Sequence, residues 1–204
     1  PDDLTSRLKA KSPRYRKDPK DYKPLTFDPY SDQLTGTAAI DEELGRHEAA
    51  LDNLVSAGAD HAERATRYAL DHSLFAAGLR LLRGEGRRAI LTAYGDAASG
   101  KGDHKEAALA YARAGDHTAA AAAHRAAGQW SQSLAAAARG GSAPPQLAVA
   151  ARALVEELRE GGDAAAAAEL AAQWLIGADE LVCELLCAAG EWRRAAAVAA
   201  RTGR

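Results

Sequence analysis

A glycine phrase recurs at an equal spacing in the middle of the chain. Glycine is followed by an acidic or amide residue and then by a residue with a ring side chain, His or Trp. The phrase occurs in Gly102-Asp103-His104, Gly115-Asp116-His117 and Gly128-Gln129-Trp130. Gly190-Glu191-Trp192 repeats the phrase further on. Such a glycine can end a helix in the left-handed conformation, and the residue after it can start the next helix. Each stretch from one glycine to the next therefore predicts one short helix of about ten residues, and the His or Trp side chain should pack over the turn that precedes this helix.

Two such units form one helical hairpin, which is too small to bury its own apolar side. Neighbouring hairpins must stack to bury it, and stacked hairpins build an α-solenoid. A hairpin period of about 26 residues is shorter than the roughly 34 of a regular tetratricopeptide repeat. Aromatic residues make up only 5% of the chain, so Leu and Ala must fill the core, and both favour helices over strands. We therefore predict an all-α fold, an α-solenoid of tetratricopeptide-like short helical hairpins.

Residues 1–38 differ from the rest of the chain. They contain five of the seven prolines and many charges, which predicts a basic, proline-rich extended segment with a short helix at most near residues 4–11. We expect the solenoid to occupy residues 39–204. Its first helix should run from Ile40 to a stop at Gly58, followed by helical blocks at 62–72, 74–82 and 87–98.

A break in the solenoid is predicted near residues 140–145, because Pro144 and Pro145 can begin a helix but cannot extend one. The chain has no methionine, and its last repeat lacks an obvious polar cap. Together these features predict a piece of a longer protein.

The overall charge excludes some partners. With 26 basic and 28 acidic residues, the formal net charge is -2, which gives no general attraction to nucleic acid or to an anionic membrane. No apolar run approaches the roughly 18 residues of a membrane span. Cys183 and Cys187 lie one helical turn apart, and we expect them to be reduced, buried small residues. These features predict an intracellular protein, in the cytoplasm or alternatively also in the nucleus.

Two stretches approach catalytic motifs without completing them. Residues 95–102 nearly spell a phosphate-binding loop, but its last position is Gly102 instead of Ser or Thr, and a helix precedes it. We expect a turn between helices there. His47-Glu48 begins like a zinc-protease helix, but Leu51 stands where the second histidine belongs. For His104 and His117 we expect a structural role at the helix start. The sequence thus predicts no enzyme activity, no metal and no cofactor.

The candidate binding residues fall into two groups. The first lies in the basic segment, where Tyr15 and Tyr22 are interleaved with charges, and it comprises Arg14, Arg16, Lys17, Asp18, Lys20 and Tyr22. This segment either packs as a strap on the solenoid or on a partner, or binds RNA by charge and stacking. The second group consists of Trp130 and Trp192, with Trp174 as a further candidate, because tryptophan often anchors protein interfaces. Burial in the core is the alternative for these tryptophans.

Two stretches resemble one particular family. The sequence Arg16-Lys17-Asp18-Pro19-Lys20-Asp21-Tyr22 is similar to the Lys-Asp-Pro-Lys-Glu-Tyr signature of the largest Elongator subunit, the IKAP family. Residues 40–54 resemble that family's Leu-x-Arg-[Tyr/His]-Glu-x-Ala-Leu-x-x-Leu helix, in the same order and spacing. Trafficking scaffolds that join β-propellers to helical repeats, of the intraflagellar transport or coatomer type, are the alternative.

The resemblance implies a non-catalytic scaffold segment from the helical C-terminal half of that subunit. In that family this half follows two β-propellers, aids dimerisation, and positions the catalytic subunit that modifies wobble uridines of transfer RNA. The partners implied are the other Elongator subunits, including the catalytic one, and a second copy of the chain through its helical region. A weak contact with transfer RNA is a further implication.

Overall fold

The computed structural model describes residues 29–201, and within them it contains twelve α-helices, one short 3-10 helix and no strand. The α-helices are α1 Pro29–Glu43, α2 His47–Ser56, α3 Ala62–Asp71, α4 Phe75–Leu81, α5 Gly84–Gly100, α6 His104–Ala114, α7 His117–Ala126, α8 Trp130–Arg139, α9 Pro144–Glu160, α10 Ala164–Trp174, α11 Asp179–Ala188 and α12 Trp192–Arg201. The 3-10 helix, Ala59–His61, lies between α2 and α3. The predicted all-α solenoid is confirmed.

One type of turn closes most of the hairpins. At the turn after α6, the N–H of Gly115 donates to the carbonyl of Ala112, and the N–H of Asp116 donates to the carbonyl of Tyr111. The glycine has a positive φ of 84°, the left-handed conformation that glycine adopts without strain. The same pair of hydrogen bonds and a left-handed glycine recur at Gly45, Gly102, Gly128, Gly141, Gly162 and Gly190. The glycine phrase of the sequence therefore marks a repeated helix stop.

The residue after the turn glycine caps the start of the next helix at two of these turns. Asp116 and Asp163 precede α7 and α10, and their carboxylates accept hydrogen bonds of 2.9 Å from the N–H of Ala119 and 3.0 Å from the N–H of Ala166. Each aspartate thereby satisfies one of the N–H groups that a helix start leaves without an intrahelical partner.

The helices pack mainly on their sequence neighbours, which is the arrangement of a solenoid. Their apolar sides form three clusters. The N-terminal cluster spans Ala38 to Ile90 and includes Leu51 and Leu54. The middle cluster spans Ala98 to Ala136 and, apart from Tyr111, its fully buried members are all alanines. The C-terminal cluster spans Leu134 to Ala195. Small alanine side chains allow the middle helices to approach closely.

Two predicted boundaries differ from the structure. The predicted extended segment reaches residue 38, but α1 already begins at Pro29, since the first turn of a helix tolerates proline. The single helix expected from Ile40 to Gly58 is two helices, α1 and α2, because Gly45 adopts a φ of 70° and stops the first. The N-terminal residues up to 28, including the short helix expected near residues 4–11, lie outside the described residues.

At the break expected near residues 140–145, a turn separates α8 from α9, and α9 begins at Pro144. The buried core nevertheless crosses this turn, because Leu134 of α8 belongs to the same cluster as Leu154 of α9.

Candidate partner-binding surfaces

The ring of each glycine phrase occupies the first residue of its helix. His104, His117, Trp130 and Trp192 begin α6, α7, α8 and α12, respectively. His104 and His117 are half-buried, and the Nδ1 atom of each is buried without a hydrogen-bond partner. A Cβ atom built on Gly140, at the end of α8, would lie 3.2 Å from the Cβ of His117. His117 therefore packs against the C-terminal turn of the following helix.

The two predicted tryptophan anchors have different environments. Trp130 is half-buried and packs against the C-terminal cluster. Trp192 is 66% exposed. Of the two, Trp192 thus has the surface that a partner can reach without rearrangement of the core.

Trp174 is half-buried and fixed by hydrogen bonds. Its Nε1 donates to the Oγ of Ser131 over 3.2 Å, and that hydroxyl donates to Oε1 of Gln173 over 2.6 Å. This network ties α10 back to α8, so Trp174 serves packing between helices. The candidates Arg14, Arg16, Lys17, Asp18, Lys20 and Tyr22 lie outside the described residues.

Two arginines, Arg193 and Arg194, directly follow Trp192 on the first turn of α12. Arg194 Nη1 lies 2.6 Å from Glu191 and 3.5 Å from Glu169, and the hydrogen bond to Glu191 is the largest cause of its raised pKa. At the other end of α12, Arg201 pairs with Asp179 over 2.8 Å. Arg193 is exposed on the first turn of α12. A partner that docks here meets the Trp192 ring beside the exposed Arg193 side chain.

Sequence reasoning missed several exposed aliphatic side chains. Ile176 lies in the turn between α10 and α11 and is fully exposed, while Leu109 on α6 and Val149 on α9 are more than half exposed. Leu109 and Val149 lie among apolar residues at helical spacing, a pattern that predicts a buried position. Ile176 precedes Gly177, a left-handed turn glycine, and this position in a turn was the available signal.

The near-match to a phosphate-binding loop is mostly helical. Residues 95–100 form the end of α5, and the turn expected there is limited to the following residues. Gly95 is buried under the Tyr111 ring, and the Tyr111 hydroxyl donates to Oδ1 of Asp96 over 2.7 Å. Burial, followed by this hydrogen bond and the nearby carboxylates, raises the pKa of Tyr111 to about 12. This stretch therefore joins α5 to α6.

His47 also has a packing partner. Its Nδ1 lies 2.8 Å from the Tyr68 hydroxyl, and its ring stacks on His72 with 4.2 Å between the centroids. Burial, together with Glu42 and Asp41, raises the pKa of Tyr68. Among the described residues, no three His, Cys, Asp or Glu side chains are grouped as a metal site.

The two cysteines are half-buried and not joined in a disulfide. The Cys183 thiol donates to the carbonyl oxygen of Ala195 over 3.6 Å, and Cys187 packs against the C-terminal cluster. Over the described part of the chain, no helix is both long and apolar enough to cross a membrane.

The comparisons with known proteins identify a family. No curated protein matches the chain. The model of the ELP1 TPR domain, however, matches residues 37–197, from α1 to within α12. This match confirms the resemblance that the sequence motifs indicated, and it covers the helices that form all three buried clusters. The chain therefore belongs to the ELP1 TPR domain family, the helical-repeat region of the Elongator ELP1/IKAP family.

Proposed function

We propose that the chain is a non-catalytic scaffold segment of the Elongator complex, which holds other subunits in place while the catalytic subunit modifies wobble uridines of transfer RNA in the cytoplasm. The observation that supports this role is the family match over residues 37–197, on stacked helical hairpins. Solenoids expose long surfaces that can contact several partners at once. The incomplete phosphate-binding and zinc-protease motifs are occupied by packing contacts, which agrees with a role without catalysis.

Co-purification tests this proposal directly. The intact chain, immobilised through a tag, is mixed with the remaining purified Elongator subunits, and the retained subunits are identified. We expect retention of at least one of them. Failure to retain any of them would contradict the Elongator assignment.

Trp192→Ala is the informative variant in this experiment. The Trp192 side chain is 66% exposed, so its removal should leave the thermal midpoint nearly unchanged and weaken retention if the ring anchors a partner. Leu109→Ala, which removes an exposed side chain on α6, is the matched control. Trp130→Ala is less informative because Trp130 packs against the core.

A second copy of the chain is a further proposed partner, through the helical region. Light scattering over a range of protein concentrations measures this directly. We expect a mass above that of one chain, and a mass that stays at one chain at every concentration would remove self-association from the proposal.

We also propose a weak contact between the N-terminal basic segment and transfer RNA. Its specific support is the local surplus of positive charge between Arg7 and Lys23. Binding that depends on phosphate contacts should weaken steeply as salt rises. It should also be lost when four basic residues become alanine, namely Arg14, Arg16, Lys17 and Lys20.

The control for this experiment replaces four exposed arginines of the solenoid, Arg64, Arg87, Arg113 and Arg152. Both variants lose four positive charges, so a purely general charge effect would weaken RNA binding equally. An affinity that neither salt nor the N-terminal substitutions change would contradict this contact.

A further inference from the structure

One side of α1 is apolar although it points away from the core. Ala38 and Asp41 are buried on the inner side of the helix. Ile40 and Leu44 lie on the outer side, one helical turn apart, and the N–H of Leu44 donates to the carbonyl of Ile40. With Tyr30 they form an outer strip, which holds three of the seven large apolar side chains exposed in the described part of the chain. This concentration on one helix face indicates a surface that another segment covers.

Negative charge borders the outer strip. Residues 29–56, which form α1 and α2, contain six acidic residues, one arginine and no lysine. The arginine, Arg46, already pairs with Asp41 over 3.6 Å. Glu43 lies one turn after Ile40 on the same side, is exposed, and forms no ion pair with another described residue. The occupant of the strip should therefore combine apolar side chains with positive charge.

The segment that leads directly into α1 has this composition. Residues 1–28 contain eight basic and five acidic residues, the opposite balance to that of α1 and α2. Close to α1, positive and apolar side chains alternate in Lys20, Tyr22, Lys23 and Leu25. Charge and hydrophobicity of this segment thus both match the outer strip.

The segment is also long enough to reach the strip. Ile40 lies eleven residues beyond Pro29, which is about 16 Å along the helix axis. An extended chain covers this distance in about five residues, because each residue advances it by about 3.3 Å. If the chain reverses at the start of α1 in a turn of roughly two residues, Tyr22 lies level with Ile40. Lys20 then lies next to Glu43.

We propose that residues 17–25 dock on the outer strip of α1 and run in the opposite direction to the helix. The Tyr22 ring covers Ile40 and Leu44, and the Lys20 ammonium pairs with the Glu43 carboxylate. The N-terminal segment is thereby held on its own solenoid by an apolar contact and a charge contact together. These contacts lie within one chain, so a failure of this proposal would leave the Elongator scaffold role untouched.

Zero-length cross-linking of the intact chain tests this docking. A carbodiimide joins lysine amines to carboxylates that are in contact, and mass spectrometry of the digested protein identifies the joined residues. We expect the cross-links of residues 17–25 to be concentrated on Glu43 and to involve mainly Lys20. An equal mixture of isotopically labelled and unlabelled protein shows whether each cross-link lies within one chain.

Substitutions that leave both cross-linked groups in place separate docking from chance contact. The double variant Ile40→Ser with Leu44→Ser should reduce the yield of the Glu43 cross-links several-fold. Tyr22→Ser should do the same and leaves α1 itself unchanged, so a reduced yield in this variant cannot come from misfolding of the helix. Leu109→Ser, which replaces an exposed side chain on α6, is the matched control and should leave the yield unchanged.

Two results would overturn the proposal. The first is a set of cross-links that is spread over carboxylates of the whole surface, or that neither Tyr22→Ser nor the double variant reduces. The second is cross-links that join mainly labelled to unlabelled chains, because the occupant of the strip would then be the N-terminal segment of a second copy.

Discussion

At the scale of single residues, α5 and α6 pack closely where Gly95 faces the Tyr111 ring. A Cβ atom on Gly95 would lie 2.7 Å from Cε1 of Tyr111, and the ring is buried. Gly95→Ala must therefore displace the ring or the helix. We expect this variant to lower the free energy of unfolding by about 1–3 kcal/mol, measured by urea denaturation.

Gly100→Ala is the matched control for that experiment. Gly100 lies in the same helix, and a Cβ atom there would meet nothing within 4 Å. Alanine should be neutral or stabilising at this position, because it favours the helix. If Gly95→Ala were as harmless as Gly100→Ala, the close approach of the two helices would be wrong.

The Tyr111 phenol also predicts a dependence of stability on pH. Its pKa rises from 10.0 to about 12 on folding, so between these values the folded state holds a proton that the unfolded state has lost. The free energy of unfolding should therefore fall as pH rises from 10 to about 12. Urea midpoints at several pH values in this window would show a smaller fall for Tyr111→Phe. An identical fall in both proteins would contradict the raised pKa of Tyr111.

At the scale of helices and turns, backbone conformation determines where each helix stops. Ser73, after α3, has a positive φ of 54° and makes the same pair of hydrogen bonds as the turn glycines. The left-handed conformation strains a residue with a Cβ atom by about 1–2 kcal/mol. Ser73→Gly should therefore raise the thermal midpoint, and Gly115→Ala should lower it. The thermal midpoint should thus change in opposite directions in the two variants. A lower midpoint in both variants would contradict the left-handed conformation proposed as the source of strain at Ser73.

The glycine phrase explains how much of this architecture the sequence could predict. Gly102, Gly115 and Gly128 were recognisable because an acidic or amide residue and a ring follow each of them. Gly141 makes the same turn at the next step of this spacing but is followed by Ser142 and Ala143, so it carried no such signal. Gly45 was missed because apolar residues at helical spacing continue on both of its sides, and this pattern does not report φ.

The binding surface was less predictable than the fold. Trp130 and Trp192 follow the same glycine phrase, yet one packs against the core and the other is exposed. The difference depends on whether another helix covers the ring. That is a tertiary relation between residues on different helices, as in His104 and Ala127, and the local pattern around each tryptophan does not contain it.

At the scale of the whole molecule, two helices connect the three buried clusters. α5 contributes Ile90 to the N-terminal cluster and Ala98 to the middle one, and α8 contributes Ala136 to the middle cluster and Leu134 to the C-terminal one. Stability in such an array is approximately a sum of local terms, in which each repeat depends on its neighbours. Damage to one end should therefore weaken that end first.

Leu154→Ala tests this expectation in the C-terminal cluster. Leu154 is 5% exposed, and its truncation should destabilise its surroundings by about 2–5 kcal/mol. Hydrogen exchange followed by mass spectrometry should show faster exchange in α9 to α11, while α2 and α3 keep their protection. Leu51→Ala in the N-terminal cluster is the reciprocal variant, and it should give the opposite pattern. If hydrogen exchange became equally faster at both ends in either variant, the solenoid would unfold as one cooperative unit. The helices α5 and α8 would then couple the three clusters more strongly than packing between neighbouring helices alone requires.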